Sequence, residues 1–410
     1  MTSPSDPVGR IRAALDRLAG DMPALGLAVS GGGDSVALMQ VAAEWAQGRR
    51  IMIATVDHGL RAGSAAEAQQ VARQARMLGL PHAILLWRRD TEAGNLMAQA
   101  RDARLRLLSG WAVRNELPAV ALGHTSDDMA ETLLMRLGRG AGIDGLAGMA
   151  PWRDAFGMRW LRPMLGVDRA ALRAWLTERG IDWIDDPSNE NTDFERVRTR
   201  QAMAALGLDA AALAASARHL AEARDALSAY ALHIARDAEA DRGSLVIDRS
   251  ALREAPPEIR RRLLVAACRW VTGADYPPRR ATLVHALEAV MTGGRVTLDG
   301  TMITHDGGRL RIAREAAAAQ RSPATTGVIW DRRWRIEGLP HATHIAAAGP
   351  EALSRLRWRD SGLSRDEAAA SPGIWGGTRL LAAPVLEEAP GLRAEPLRDA
   401  ADFRRLVKAH

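Results

Sequence analysis

At 410 residues the chain is longer than one ordinary core requires, so two or three domains are expected. Its single cysteine, Cys268, excludes an internal disulfide, a CxxC pair and a thiolate metal cage; the absence of an apolar stretch near the N-terminus and of any run of about 18 apolar residues argues against export and membrane spanning, so a cytoplasmic protein is expected. A net charge of +6, carried mostly by arginine, favours a polyanionic partner such as nucleic acid.

The first apolar run, residues 25–29, predicts a strand. It leads into Ser30-Gly31-Gly32-Gly33-Asp34-Ser35 and then into a helical pattern over residues 36–45. A strand, a glycine-rich turn and a helix N-terminus together form an anion site: glycine backbone N–H groups approach phosphate oxygens closely, the serines add donors, and the positive end of the helix faces the same point. A plain tight turn would also call for small residues. Asp34 argues against that reading, since a carboxylate in an anion cradle needs a cation such as Mg²⁺ to bridge it to phosphate. The pattern lacks the Gly-Lys-Ser/Thr ending of a Walker A loop and the spaced glycines of a dinucleotide fingerprint.

Further strands are predicted at residues 51–56, 83–87 and 119–122, alternating with helical patterns, which predicts a parallel sheet with ligands at the strand C-termini. The second strand runs into Val56-Asp57-His58-Gly59-Leu60-Arg61. Ser64-Ala65-Ala66-Glu67 has the form of a capping box at the start of the next helix. Ala100-Arg101-Asp102-Ala103-Arg104 places Arg101 and Arg104 on one helix face, as a surface pair or as phosphate contacts. After the fourth strand comes Gly123-His124-Thr125-Ser126-Asp127-Asp128-Met129-Ala130-Glu131-Thr132. On a helix Asp127 and Asp128 stand four and three residues before Glu131, so the acids share a face; they either complement the helix dipole or receive a cation.

The segment from Arg136 to Met149 is too rich in glycine to hold a helix, and Arg136 and Arg139 at its start suit a phosphate-gripping lid or an ordinary linker. Asp168 and Gly180 bracket a helix over residues 169–179. The turn Asp185-Asp186-Pro187-Ser188-Asn189 then precedes Arg196, Arg198 and Arg200, which fit pyrophosphate, RNA backbone or a solvated basic face. From about residue 206 the pattern turns helical, over 209–240, 256–272 and 279–291, and closes with short strands at 294–298, 302–305 and 310–312. A linker follows at 316–323, then short strands at 328–336 and 375–384. The expectation is an α/β, Rossmann-like parallel-sheet domain over residues 1–205, a mainly helical domain over 206–315 and a small α+β unit over 324–410.

Taken in order, the Ser30–Ser35 loop, the Asp57-His58 turn, Arg101 and Arg104, the His124–Thr132 series, the glycine-rich segment, Arg162-Pro163 and Asp186-Pro187-Ser188-Asn189 resemble the bacterial tRNA(Ile)-lysidine synthetase family of the PP-loop, or N-type ATP pyrophosphatase, superfamily. The match is strong over about residues 20–200. The resemblance implies a ligase that uses ATP to adenylate C2 of the wobble cytidine in the CAU anticodon of tRNA(Ile), then joins the ε-amine of L-lysine to it with release of AMP. It implies that Ser30, Gly31, Gly32, Gly33, Asp34, Ser35, Asp57 and His58 bind ATP, with Asp34 on Mg²⁺. Asp127, Asp128 and Glu131 would recognise lysine or act as base, and Arg101, Arg104, Arg136, Arg139, Arg196 and Arg198 would meet phosphates or tRNA. The oligomeric state is left open, a homodimer included. Two other readings remain: another PP-loop tRNA-modifying or amide-forming enzyme, and a non-catalytic RNA-binding protein.

Overall fold

The computed structural model describes residues 6–59, 63–88, 96–185 and 191–408. Leu60 and Arg61, and the expected turn residues Asp186, Pro187, Ser188 and Asn189, lie outside the described residues. The chain divides into two units, Met1–Ala223 and Arg224–His410.

The first unit runs α1 (Pro7–Ala19), β1 (Ala24–Ala28), α2 (Gly33–Trp45), β2 (Arg50–Asp57), α3 (Ser64–Met77), β3 (His82–Leu86), α4 (Leu96–Arg114), β4 (Ala119–Leu122), α5 (Ser126–Leu137), α6 (Ile143–Leu146), β5 (Trp152–Ala155), β6 (Met158–Leu161), α7 (Arg169–Glu178), α8 (Glu195–Ala205) and the start of α9 (Ala210–Ile234). Its six strands lie in the order β3-β2-β1-β4-β6-β5, parallel except for β5, which pairs antiparallel with β6. The two central strands, β1 and β4, are buried along their whole length because helices cover both faces. On one face Ile11, Leu15, Leu38, Val41, Leu172 and Leu176 form a core from α1, α2 and α7. On the other, α4 supplies Leu105, Leu108 and Trp111 against Met158 and Trp160. Gly26 belongs to that contact, since a Cβ there would lie 2.9 Å from the Trp111 ring. The strand order reverses at β1 and β4, which puts a crevice at their C-terminal ends.

The four predicted parallel strands fall within a residue of their expected bounds. Three other expectations change. Helix α3 takes Gly63 as its N-cap, so Ser64 falls at the first helical position and the expected capping box does not form. The glycine-rich segment does hold one helical turn, α6, because its glycines flank Ile143-Asp144 and leave Gly142 as the N-cap. The β5–β6 hairpin was not foreseen; Phe156 (φ 54°) and Gly157 (φ 70°) form its two-residue turn without the Asn-Gly signal usual for that geometry.

In the second unit the long helical pattern stops at Ile234. The chain continues through β7 (Glu239–Asp241), β8 (Ser244–Asp248), α10 (Arg249–Glu254), α11 (Pro257–Thr272), α12 (Arg280–Met291), β9 (Val296–Leu298), β10 (Thr301–Asp306) and β11 (Arg309–Arg314). Residues 239–240, expected within a helix, are strand because Arg242 and Gly243 both take positive φ and turn the chain back on itself. The five strands form an antiparallel sheet, β7-β8-β11-β10-β9, under α11. After α13 (Ala316–Gln320) come β12 (Ile329–Trp330), β13 (Trp334–Glu337), β14 (His344–Ala347), α14 (Gly349–Ala352), α15 (Arg365–Ala369), β15 (Pro372–Gly376), β16 (Arg379–Ala382) and β17 (Arg393–Pro396), in two three-stranded sheets. The last helix, α16 (Ala400–Lys408), sends Phe403 and Val407 into the core beneath α11. Cys268 is buried there and its thiol is pushed up to about 11 by burial, which makes it a packing residue. Among the described residues no helix is long and apolar enough to cross a membrane.

Candidate active site

The Ser30–Ser35 loop sits at the end of β1, where the backbone must turn sharply from strand to helix. Gly31 takes φ 95°, and a Cβ there would lie 2.4 Å from Ile184 Cδ1, so both conformation and space require glycine. The Ile184 N–H donates to the Gly31 carbonyl at 2.9 Å and fixes the loop from outside. Gly32 caps α2, and Gly33, Asp34 and Ser35 form its first turn. The Ser35 hydroxyl donates to the Gly32 carbonyl (2.8 Å) and accepts from the Ser30 N–H (3.2 Å), so Ser35 braces the loop. Gly123, at the end of β4, lies against this turn; a Cβ would come within 3.1 Å of Ser35 Cα.

Next to the loop, the starts of α5 and α7 are tied together: Ser126 donates through both its N–H and its hydroxyl to the Val167 carbonyl, each at 3.0 Å. This places four acids around one cation. Arg169, the first residue of α7, donates from Nε to Asp34 Oδ2 at 2.9 Å, faces Glu131 Oε1 at 3.4 Å and lies 3.5 Å from Asp128 Oδ1. Its backbone N–H donates to Asp127 Oδ2 at 2.9 Å. Asp128 also accepts from the Thr125 N–H (2.9 Å) and hydroxyl (3.2 Å), and Glu131, 1% exposed, accepts from Arg200 Nε (3.1 Å) and Nη2 (2.9 Å). The predicted cluster of Asp127, Asp128 and Glu131 is therefore assembled, and Arg169 joins Asp34 of the loop to it. One oxygen of Asp34 (Oδ1) and one of Glu131 (Oε2) are buried without a hydrogen-bond partner.

The charges in this cluster are set by competition between burial and Arg169. For Asp34 burial prevails over the guanidinium, with help from the neighbouring Asp128 and Asp127, and its carboxyl is raised above the usual range. For Asp128 burial is outweighed by Arg169, His124, the Thr125 N–H and Arg196, and its carboxyl is lowered. Burial opposes the charge of Arg169, but the surrounding acids raise its pKa. His124 is pushed down to about 4, chiefly by burial and also by Arg162, Arg104 and Arg196, with Asp128 pulling the other way; it is neutral at neutral pH.

The remaining predicted residues divide by location. Asp57 accepts from the Gly59 N–H (2.9 Å) and shapes its own turn, while His58 packs edge-on to Trp87 and is lowered by burial and then by Arg104. Arg101 and Arg104 stand in the first turns of α4, and both are lowered first by burial. Arg136 donates to the carbonyls of Gly145 (2.6 Å) and Gly148 (3.2 Å), so it holds the glycine-rich segment together. Arg139 pairs with Glu195 at the start of α8. The helical period of α8 separates the three arginines: Arg196 (3.7 Å from Asp128) and Arg200 face the acids, whereas Arg198 donates to the carbonyls of Thr192 and Asp193. Sequence reasoning did not pick out Arg169; its one signal was its place directly after the N-cap Asp168 at the same sheet edge.

Comparison with known proteins points to a family. Residues 10–206 match the model of the PP-loop domain family. The tRNA(Ile)-lysidine synthase of Ruegeria pomeroyi is 45% identical over 394 residues, 94% of each chain. The same enzyme of Bradyrhizobium diazoefficiens is 40% identical over 71% of this chain and 90% of its own, and that of Methylobacterium nodulans 40% identical over 77% and 98%.

Proposed function

The chain belongs to the tRNA(Ile)-lysidine synthase family of PP-loop proteins, and we propose that it forms lysidine at the wobble cytidine of a CAU-anticodon isoleucine tRNA. The observation that carries this reading is the pairing, at one sheet edge, of a glycine-built phosphate turn with a buried acidic cluster that keeps two carboxylate oxygens without partners. ATP binding belongs to the first and recognition of a lysine ammonium to the second.

In the first step the C2 oxygen of the cytidine attacks the α-phosphate of ATP and pyrophosphate leaves. The Gly31–Gly33 backbone and the positive end of α2 hold the phosphates, and Asp57 and His58, on the neighbouring strand end, are assigned to the nucleotide. Asp34 Oδ1 suits a Mg²⁺ ion. Bound there, Mg²⁺ would neutralise charge on the leaving pyrophosphate. In the second step the lysine ε-amine attacks C2, AMP leaves, and the nitrogen loses its protons. Glu131, buried and with Oε2 lacking a hydrogen-bond partner, is assigned to the ammonium, with Asp127 and Asp128 beside it as acceptors for the released protons.

Arg139, in the glycine-rich segment, and Arg196, 3.7 Å from Asp128, are assigned to the leaving phosphates. The residues from about 206 onward are assigned to the body of the tRNA, and the work to the cytoplasm, where tRNA is the substrate. Incubation of the protein with the tRNA, ATP, Mg²⁺ and labelled lysine, followed by mass analysis of the tRNA, tests the reading. One lysine residue added per tRNA, dependent on ATP, is the expected result; ATP cleavage without any addition to tRNA would overturn it.

A further inference from the structure

A second feature of the same sheet edge is not used by the ATP and lysine chemistry. On the α4 face the apolar core of Leu105, Leu108, Met158 and Trp160 runs out at the rim of the crevice, and arginines take its place. Arg101 precedes Leu105 by one helical turn on the sheet-facing side of α4. Strand pairing sets Arg153 opposite Trp160, so Arg153 and Arg162 point to the same face on adjoining strands. Arg162 is 6% exposed; it donates to the Ala150 carbonyl at 2.8 Å, while its Nε is buried without a partner. Among the described residues none of the three forms an ion pair with an acid. Trp152, 48% exposed on the edge strand, pairs with Leu161 and so points to the other face of the sheet, where it carries the Arg159 guanidinium 4.7 Å from its ring centroid.

We propose that Arg101, Arg153 and Arg162 grip the sugar–phosphate backbone of the tRNA anticodon loop at the mouth of the site. The proposal rests on the tRNA-modifying reading above. The triphosphate has its own cradle at α2 on the opposite face of the sheet, which leaves this rim for a different anion. Burial and the charges of Arg153 and Arg101 drag Arg162 down to about 10, a crowding that bound phosphate would relieve. Separate cations along one rim suit an unpaired strand, whose phosphates are spaced along the chain.

Arg101 and Arg153 are exposed, so Arg101→Ala and Arg153→Ala leave the core intact. Arg106→Ala, in the same helix but stacked on Phe156 at the far end of the hairpin, removes the same charge and serves as the control. Filter binding of the tRNA across a salt series, with the KM for ATP measured in parallel, separates the outcomes. Arg101→Ala and Arg153→Ala are expected to weaken tRNA binding about tenfold each, in the range of a lost charge-assisted hydrogen bond, and to lower the salt slope by about 0.7. The control should bind like wild type. The proposal is overturned if the two rim variants bind like the control, or if their KM for ATP rises while tRNA affinity holds. A wild type that binds tRNA with these variant effects yet adds no lysine would overturn the functional reading and leave the surface standing.

Discussion

Replacing Arg169 by Ala removes the one cation shared by Asp34, Asp128 and Glu131. The side chains of Arg169 and Asp34 are 18% and 20% exposed, so solvent screens their contact only partly. Removing one partner of a buried ion pair costs about 3–5 kcal/mol. Here Asp128 keeps Thr125 and Arg196 and Glu131 keeps Arg200, which lowers the expected loss to about 2–3 kcal/mol. For a unit of this size 1 kcal/mol moves the midpoint by about 2–4 °C, so a fall of roughly 4–12 °C at neutral pH is expected by differential scanning calorimetry. The deficit also has a signed pH dependence. Asp34 is already raised in the folded state, and losing Arg169 raises it further; the variant therefore folds against a cost that is full above this folded pKa and gone below the unfolded value of 3.8. Asp128, lowered in the wild type, contributes stability above 3.8 that is lost as pH falls through its folded pKa, and the variant forfeits part of it. The Asp34 effect makes the deficit shrink as pH falls from 7 towards 4, and the Asp128 effect adds to this only below 3.8. A midpoint within 1 °C of wild type at neutral pH, or a deficit that stays constant across this range, would refute the role of Arg169 as the shared counter-ion.

Asp34→Ala is expected to abolish ATP-dependent pyrophosphate release while circular dichroism stays native, since the residue faces the crevice and no core; lysidine formation at the wild-type rate would rule out its place on the cation. Glu131→Gln should raise the KM for lysine about 10- to 100-fold, the range for a hydrogen bond to a charged group, and move the KM for ATP much less; equal shifts in both constants would mean that Glu131 only holds the fold. His124, lowered to about 4, stays neutral in the folded protein while the unfolded chain takes up a proton below 6.5, so stability falls as pH drops from 6.5 towards 4. His124→Asn should flatten that part of the denaturant-midpoint profile, and an unchanged slope would contradict it. Phe403→Ala, which empties a fully buried ring site under α11, should destabilise the second unit by about 3–5 kcal/mol in urea; a loss under 1 kcal/mol would show that α16 is dispensable to that core.

What could be read from the sequence follows how far apart the interacting residues lie. The Ser30–Ser35 turn and the Asp127, Asp128 and Glu131 spacing each fit within a few residues, where the demand for glycine and the three- and four-residue helical offsets are visible in the chain itself. The four parallel strands were equally plain, because their buried apolar runs end in turn residues. The β5–β6 and β7–β8 hairpins were hidden, since Phe156-Gly157 and Arg242-Gly243 are not typical hairpin turns and the short strands around them carry exposed charges. Arg169 was hidden for a different reason: it meets Asp34 across 135 residues and Glu131 across 38, and only the order of strands β1, β4 and β6 brings those segments together. The α4-side rim is of the same kind: Arg101 and Arg162 stand in motifs of their own segments, but they meet Arg153 only through strand register and helix packing. Each strand end therefore contributes a motif that is legible alone, whereas the charge that balances the motif comes from another strand end. In a parallel sheet that partner is chosen by crossover topology, so the acids of this site can be found by spacing and their counter-ion only by the fold.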